Sequence, residues 1–316
     1  MSNIKIVFMG TPEFSVPVLE GLIDNYEVVG VVSQPDRKVG RKQELKSTPV
    51  KQTAMSHNIP VFQPEKIKRE YDEILKLEPD LIITCAYGQI IPKAILDYPR
   101  LGCINVHASL LPKLRGGAPI HKAIIDGYSK TGITIMYMDE KMDSGDIISQ
   151  AETDILDSDT LETLHDRLSI MGKELLLQTL PSIIEGTNMR TPQEEKDVTY
   201  AYNIKREEEY LDFSNSSRAL FDQIRGLSPA PGSCAVLDGE EIKIYAARIG
   251  DKTSSSVPGE IMHIYKDGIG VSTADYELVL LDIKPFGKKR MLASSFINGI
   301  SKEEYIGKVF QYEKKN

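Results

Sequence analysis

Apolar residues come first as short unbroken runs and later as alternations. IKIVFMG at 4–10 and EVVGVVSQ at 27–34 are continuous runs bounded by turn residues, the mark of strands buried on both faces. Between them Val18, Leu19, Leu22 and Ile23 share one face of a helix over 16–25. Strand, helix, strand in this order predicts a parallel sheet covered by helices. The pattern continues with a helix over 48–58, capped by Ser47 or Thr48 with Pro49 in its first turn. A short strand at 59–64, a helix over 64–77 and a buried strand at 80–86 follow. Next come a strand over 102–106, a helix over 119–127 and strands over 131–140 and 147–155, the last alternating as edge strands do. A long helix over 160–185 carries the stripe Leu161, Leu164, Leu168, Met171, Leu175 and Ile183.

Residues 186–210 are polar and aperiodic, which predicts an extended linker. A helix over 216–225 and several short strands with Asp-Gly turns at 238–239 and 267–268 follow, which predicts a small antiparallel barrel. Periodicity does not separate a barrel from a sandwich here. The fold class expected is α/β: a Rossmann-like, mostly parallel sheet with helices on both faces, then a small antiparallel β-barrel. The expected boundaries are 1–189, a linker over 190–206, and 207–316.

Composition narrows the setting. The three cysteines, Cys85, Cys103 and Cys234, are odd in number and set in apolar runs, which predicts buried thiols in a reducing compartment. The five histidines are scattered without ligand spacing, so no metal is expected. No stretch approaches 18 apolar residues and the run at 4–9 is too short for a signal h-region. The expectation is a cytoplasmic monomer with no membrane contact. A net charge of −8 argues against indiscriminate nucleic-acid binding. Two basic clusters stand out against it. Arg37, Lys38, Arg41, Lys42 and Lys46 crowd a long aperiodic loop over 34–47, read either as a solvated charge run or as a phosphate-binding loop. Lys284, Lys288, Lys289 and Arg290 crowd KPFGKKRM, a hairpin tip or an RNA-facing patch.

The chemistry gathers on GCINVHASLLPKLRGGAPIH at 102–121. Asn105 and His107 are two apart on a strand, so they face the same way at its carboxyl end. Ligands of open α/β sheets bind at that edge. The first turn, Gly10-Thr11-Pro12, has neither GxGxxG nor GxxxxGK[ST], so a dinucleotide or nucleoside triphosphate is not supported there. Tyr87-Gly88-Gln89-Ile90-Ile91-Pro92 leaves the neighbouring strand, before a short helix near 93–98. It is either a backbone-amide bed for a flat heterocycle or a plain strand-to-helix turn. A further loop supplies Asp143, placed in this reading at another strand's carboxyl end. A carboxylate beside an imidazole favours the charged ring. Imidazolium and amide N–H donors aimed at one oxygen would stabilise an oxyanion by about 3–4 kcal/mol each. No Ser or Cys is arranged as a nucleophile: GxSxG is absent and Ser109 lacks a partner. The set therefore fits direct attack by a substrate nucleophile on a carbonyl. Asp143 and Asp146 as a metal pair is the weaker alternative, and His165 reads as a bystander.

These motifs resemble the folate-dependent formyltransferases: Asn105-Val106-His107, Ser109-Leu110-Leu111-Pro112, Arg115-Gly116-Gly117-Ala118-Pro119-Ile120 and Asp143-Ser144-Gly145-Asp146. GTPEFS at 10–15, QPDR…GRK at 34–42, AYGQIIP at 86–92, RLGCINVHASLLP at 100–112 and IKREE at 204–208 extend the resemblance along essentially the whole chain. They point to the branch whose acceptor is methionyl initiator tRNA. The resemblance implies 10-formyltetrahydrofolate as donor and Asn105, His107 and Asp143 as the catalytic trio. It implies folate contacts at Ser109, Leu110, Leu111 and Pro112, to which the bed at Tyr87, Gly88, Gln89 and Ile90 is added. It implies tRNA contacts through Arg41 in a loop with Arg37, Lys38 and Lys42, and an OB-like second domain with Lys288, Lys289 and Arg290 facing RNA. The alternative is a formyltransferase acting on a sugar amine or a purine precursor. Two positions depart from the pattern: Lys38 stands where Pro is frequent, and Ala230 where Trp is common.

Overall fold

The computed structural model of the protein describes residues 4–39, 43–299 and 301–312. Its chain divides into two compact units. The first holds the residues up to Pro119, Lys130–Asp154 and His165–Tyr202; the second holds Ile120–Ser129, Ile155–Leu164 and the chain from Asn203 onward.

The first unit is built on β1 (Lys5–Gly10), β2 (Glu27–Val32), β3 (Arg37–Val39), β4 (Glu44–Lys46), β5 (Val61–Phe62), β6 (Leu81–Cys85), β7 (Cys103–His107), β8 (Lys130–Tyr137) and β9 (Ile147–Asp154). Seven of them form one sheet in the order β5-β2-β1-β6-β7-β8-β9. It is parallel from β5 to β7. β8 and then β9 reverse direction. Every residue of β6 is buried, as the unbroken apolar run requires. On one face Val7, Met9, Ile82, Ile74 and Ile95 pack together. Helix α1 (Val16–Asn25) buries Val18, Leu19 and Leu22. Helix α2 (Pro49–Ser56) starts on Thr48, whose side chain accepts the Lys51 N–H.

Two elements differ from the sequence reading. The 64–77 helix reduces to α3 (Asp72–Leu75). Upstream, side chains take the backbone groups a helix would use: the Glu70 carboxylate accepts the N–H of Glu65 and Lys66, and the Gln89 amide meets Ile67 N–H and Pro64 C=O. The 34–47 loop contains an antiparallel ribbon of β3 and β4. Its root is tied by Asp36, which accepts from Lys51 at 2.6 Å and Gln63 at 2.7 Å.

After α4 (Lys93–Leu96), α5 (Pro119–Ile125) and α6 (Leu161–Glu185), the part of the expected linker up to Tyr202 belongs to the first unit and is extended on either side of a 3-10 turn at Glu195–Asp197. Thr191 bridges to Ile147, and Tyr200 to Arg115. The second unit adds α7 (Ser217–Gly226), β10 (Ser233–Leu237), β11 (Glu240–Thr253), β12 (Ile261–Ile264), β13 (Ile269–Val271), β14 (Tyr276–Lys284), β15 (Met291–Leu292) and α8 (Ala293–Ile297). The strands order as β10-β11-β14-β13-β12, with β15 on β14. Residues 307–311 close the gap: Gln311 pairs with Val236 of β10, and Phe310 N–H donates to Gly259 C=O just before β12. Closure of this kind leaves few free strand edges. Leu220, Ile224, Ile244, Leu278, Leu280 and Phe296 fill the core. Ala230 is exposed, so the place where Trp is common lies on the surface and leaves no core gap.

Candidate active site

Asn105 comes from β7, in register with Thr84 of β6. The Thr84 hydroxyl donates to Asn105 Oδ1 at 2.7 Å. With the hydroxyl donating to the amide oxygen, the NH2 end of Asn105 is turned away from Thr84. Asn105 lines a cavity of about 190 Å³ together with Gln89, Ile90, Ile91, Met136, Met138 and Asp143. The cavity thus combines apolar walls with two amides and the charged loop over 139–143.

His107 is buried two residues on. Its Nε2 lies 3.1 Å from the carbonyl of Leu114, and a carbonyl only accepts, so Nε2 carries a hydrogen. Nδ1 faces Asp143 Oδ2 at 3.8 Å. The sequence reading aimed an imidazole donor at the reacting oxygen; Nε2 is engaged by Leu114, and Nδ1 can donate only in the cationic ring. The same Asp143 Oδ2 accepts the Gly116 N–H at 2.8 Å. Asp143 does not reach the site as expected. β8 is antiparallel to β7, so its carboxyl end lies beside the amino end of β7. The loop after β8 turns through a left-handed Asp143 (φ 50°) and is held from outside. Gln193 Nε2 donates to the carbonyls of Asp143 and Gly145 at 2.8 Å each. Arg115 Nε in turn donates to Gln193 Oε1 at 3.0 Å.

The other residues named from sequence divide into groups. Gln89 and Ile90 line the cavity. Tyr87 is buried and its carbonyl accepts from Thr11 and Gln34. Gly88 takes φ 92°, which explains the glycine. Ser109, Leu110, Leu111 and Pro112 are not in the cavity lining. Ser109 and Leu111 are buried, and their loop is tied by Thr134 and Gln150: Thr134 donates to Ser109 C=O at 2.6 Å, and Gln150 to Leu111 C=O at 2.8 Å. Arg37 and Lys38 are exposed on β3, whereas Arg41 and Lys42 lie outside the described residues. In the second unit Arg290 is paired with Asp282 at 2.8 Å and stacked 4.1 Å from the Tyr245 ring. Lys288 sits 5.4 Å from the Phe296 ring, and Lys289 is exposed.

Sequence reasoning missed Thr84, Gln193 and the exposed Phe286 beside Lys288. Thr84 had a signal, being the lone polar residue of LIITC. Gln193 had none. Among the described residues no helix is long and apolar enough to cross a membrane, and no group of three or more His, Cys, Asp or Glu could hold a metal ion.

Residues 4–180 match the formyl transferase family, and residues 203–301 match the formyl transferase C-terminal domain. Among curated relatives, the methionyl-tRNA formyltransferase of Bacillus licheniformis is 54% identical over 299 residues, 93% of this chain and 95% of that protein. The enzyme of the same name from Bacillus subtilis is 53% identical, over 93% and 94%. Among solved structures, the sugar 3N-formyl transferase WlaRD, crystallised with dTDP and 5-N-formyl-THF, superposes with a TM-score of 0.68 at 19% identity, covering 92% of this chain and all of that one. HypX from Aquifex aeolicus in complex with tetrahydrofolic acid gives 0.65 at 17% identity, over 94% and 47%. These two share the fold; the sequence matches decide the family. The chain belongs to the formyl transferase family.

Proposed function

We infer that the protein transfers the formyl group of 10-formyltetrahydrofolate to the α-amine of methionyl initiator tRNA, for translation initiation. The observation that carries this reading is the length of the match: relatives named for that activity align over 93% of the chain, across both units. We take it to act as a cytoplasmic monomer.

The donor supplies an activated formyl carbonyl. The apolar walls at Ile90, Ile91, Met136 and Met138 suit its flat heterocycle, with Gln89 at the rim. An ordinary α-amine has a pKa near 7.7–8.0, so about a tenth is neutral at pH 7, and esterification raises that share. The amine needs little activation, and positioning with charge stabilisation carries the rate. Asn105, its amide oriented by Thr84, donates N–H to the carbonyl oxygen as negative charge gathers there. As an imidazolium, His107 also carries a hydrogen on Nδ1 and donates it to the same oxygen or to the departing nitrogen. Asp143, beside Nδ1, takes up the proton the amine gives up and returns it to that nitrogen, directly or through water. Arg37, Lys38, Arg41 and Lys42 on one unit and Lys288, Lys289 and Arg290 on the other contact the tRNA backbone in this reading.

The test offers 10-formyltetrahydrofolate with charged initiator tRNA, charged elongator methionine tRNA, an amino sugar nucleotide or water. Formylation of the initiator alone is expected. Asp143→Asn should lose at least about 100-fold in activity; near-full rate in that variant removes Asp143 from the mechanism.

A further inference from the structure

Residues 199–202 run extended beside residues 114–118. Arg115 N–H donates to Thr199 C=O at 2.9 Å, Ala201 N–H to Arg115 C=O at 2.7 Å, and Ala118 N–H to Ala201 C=O at 3.0 Å. Side chains alternate on extended backbone. Ala201 is fully buried, so Tyr200 and Tyr202 both turn outward. Their rings are stacked with 2° between planes and 5.5 Å between centroids. They remain 49% and 61% exposed. Folding has left two parallel aromatic faces in water, which is large apolar area awaiting a flat partner.

The segment abuts the site. A Cβ on Gly116 would stand 2.6 Å from the Ala201 carbonyl oxygen, so the two backbones are in contact. Gly116 N–H is the donor to Asp143. We propose that Tyr200 and Tyr202 form a stacking platform for an unpaired base in the single-stranded 3′ end of the aminoacyl-tRNA. The proposal rests on the formyl centre being at Asn105, His107 and Asp143. The acceptor amine hangs from that 3′ end, so nucleotides must lie close to any site that reaches the amine. A π-face accepts any base, which suits an end shared by all tRNAs. The flanking chain over 194–206 sets Glu194, Glu195 and Asp197 against Lys196, Lys205 and Arg206, so it offers no net positive charge to phosphates. Stacking, not charge, is the attraction, and this separates the platform from the basic ribbon at β3 and β4.

The experiment replaces Tyr200→Ala and Tyr202→Ala, singly and together, with Tyr→Phe at each position alongside. Steady-state formylation is measured at two salt concentrations, varying methionyl-tRNA and folate in turn. The double Ala variant should raise KM for tRNA by about fivefold or more, with kcat and the folate KM unchanged. The increase should be equal at both salts, and the Phe variants should match the parent. Three results overturn the platform: a tRNA KM within about twofold of the parent in the double Ala variant, Phe variants as impaired as Ala, or a folate KM that rises alongside. Failure of the formyl centre shows elsewhere, as undiminished turnover in Asp143→Asn, so the two readings fail separately.

Discussion

Removing the Thr84 hydroxyl tests whether the orientation of Asn105 matters to catalysis. Thr84 is 3% exposed and its hydroxyl meets Asn105 Oδ1 at 2.7 Å. Thr84→Val keeps the shape and deletes the donor. A neutral bond of this kind is worth about 0.5–1.5 kcal/mol net. An amide held by about 1 kcal/mol spends roughly 85% of its time in the right orientation; unheld, it spends about half. Occupancy alone then costs about twofold, and loss of the whole bond in the transition state costs about tenfold. Turnover should fall between these limits, while Thr84→Ser keeps it. Asn105→Ala deletes the donor itself, with an expected loss of about 100- to 1,000-fold. The assay is single-turnover formylation at saturating folate and tRNA in a double-mutant cycle. In the Asn105→Ala background, Thr84→Val should cost nothing more, because there is no amide left to orient. If Thr84→Val is as costly with residue 105 truncated, or if Thr84→Ser is as slow as Thr84→Val, Thr84 does not act through Asn105.

Gln193→Ala removes both N–H bonds that hold the Asp143 loop, and turnover should drop by up to about 30-fold for the loss of two bonds worth ~1 kcal/mol each. Gln193→Glu should be worse, since a carboxylate would face the carbonyls of Asp143 and Gly145; equal rates in the two variants would refute the clamp. The Cys85 and Cys103 thiols are pushed up to about 12 by burial. The folded chain should therefore leave them unreacted with a thiol reagent at mildly alkaline pH until it is denatured. The sign for stability follows: the unfolded thiol ionises first, so stability is intact below the ordinary 9.0 and falls as pH rises from there toward 12. Denaturant midpoints that stay flat across that window would contradict it. Arg37 lies directly opposite Lys46 on the β3–β4 ribbon, a like-charge pair that costs about 0.2–1 kcal/mol unless an anion sits between them. Arg37→Gln should firm the ribbon against proteolysis yet weaken tRNA binding, with the salt slope shallower by about 0.7–0.9; an unchanged slope would take Arg37 off the phosphate backbone.

The residues that make the scaffold and those that aim the chemistry are written differently in the chain. β1, β2 and β6 were legible because burial on both faces demands unbroken apolar runs, and such runs are local. Asn105 and His107 were legible because two polar residues on an apolar strand contradict its pattern. Asp143 was recognised by its motif, but its route was not, since nothing local announces that β8 runs against β7. The lost helix over 64–77 has the same cause: Glu70 and Gln89 intercept backbone groups that periodicity assigns to a helical ladder. Gln193 is the extreme case. It lies in the least patterned stretch of the chain, 50 residues from the carbonyl it holds at Asp143 and 78 from Arg115. A polar, aperiodic segment has no core to fill, so its hydrogen-bonding groups are free to satisfy a functional loop that cannot satisfy itself. Asp143, a non-glycine residue at φ 50°, is such a loop. The stretch over 187–202 therefore braces the Asp143 loop through Gln193, and it turns Tyr200 and Tyr202 outward, where the proposed platform would meet the acceptor.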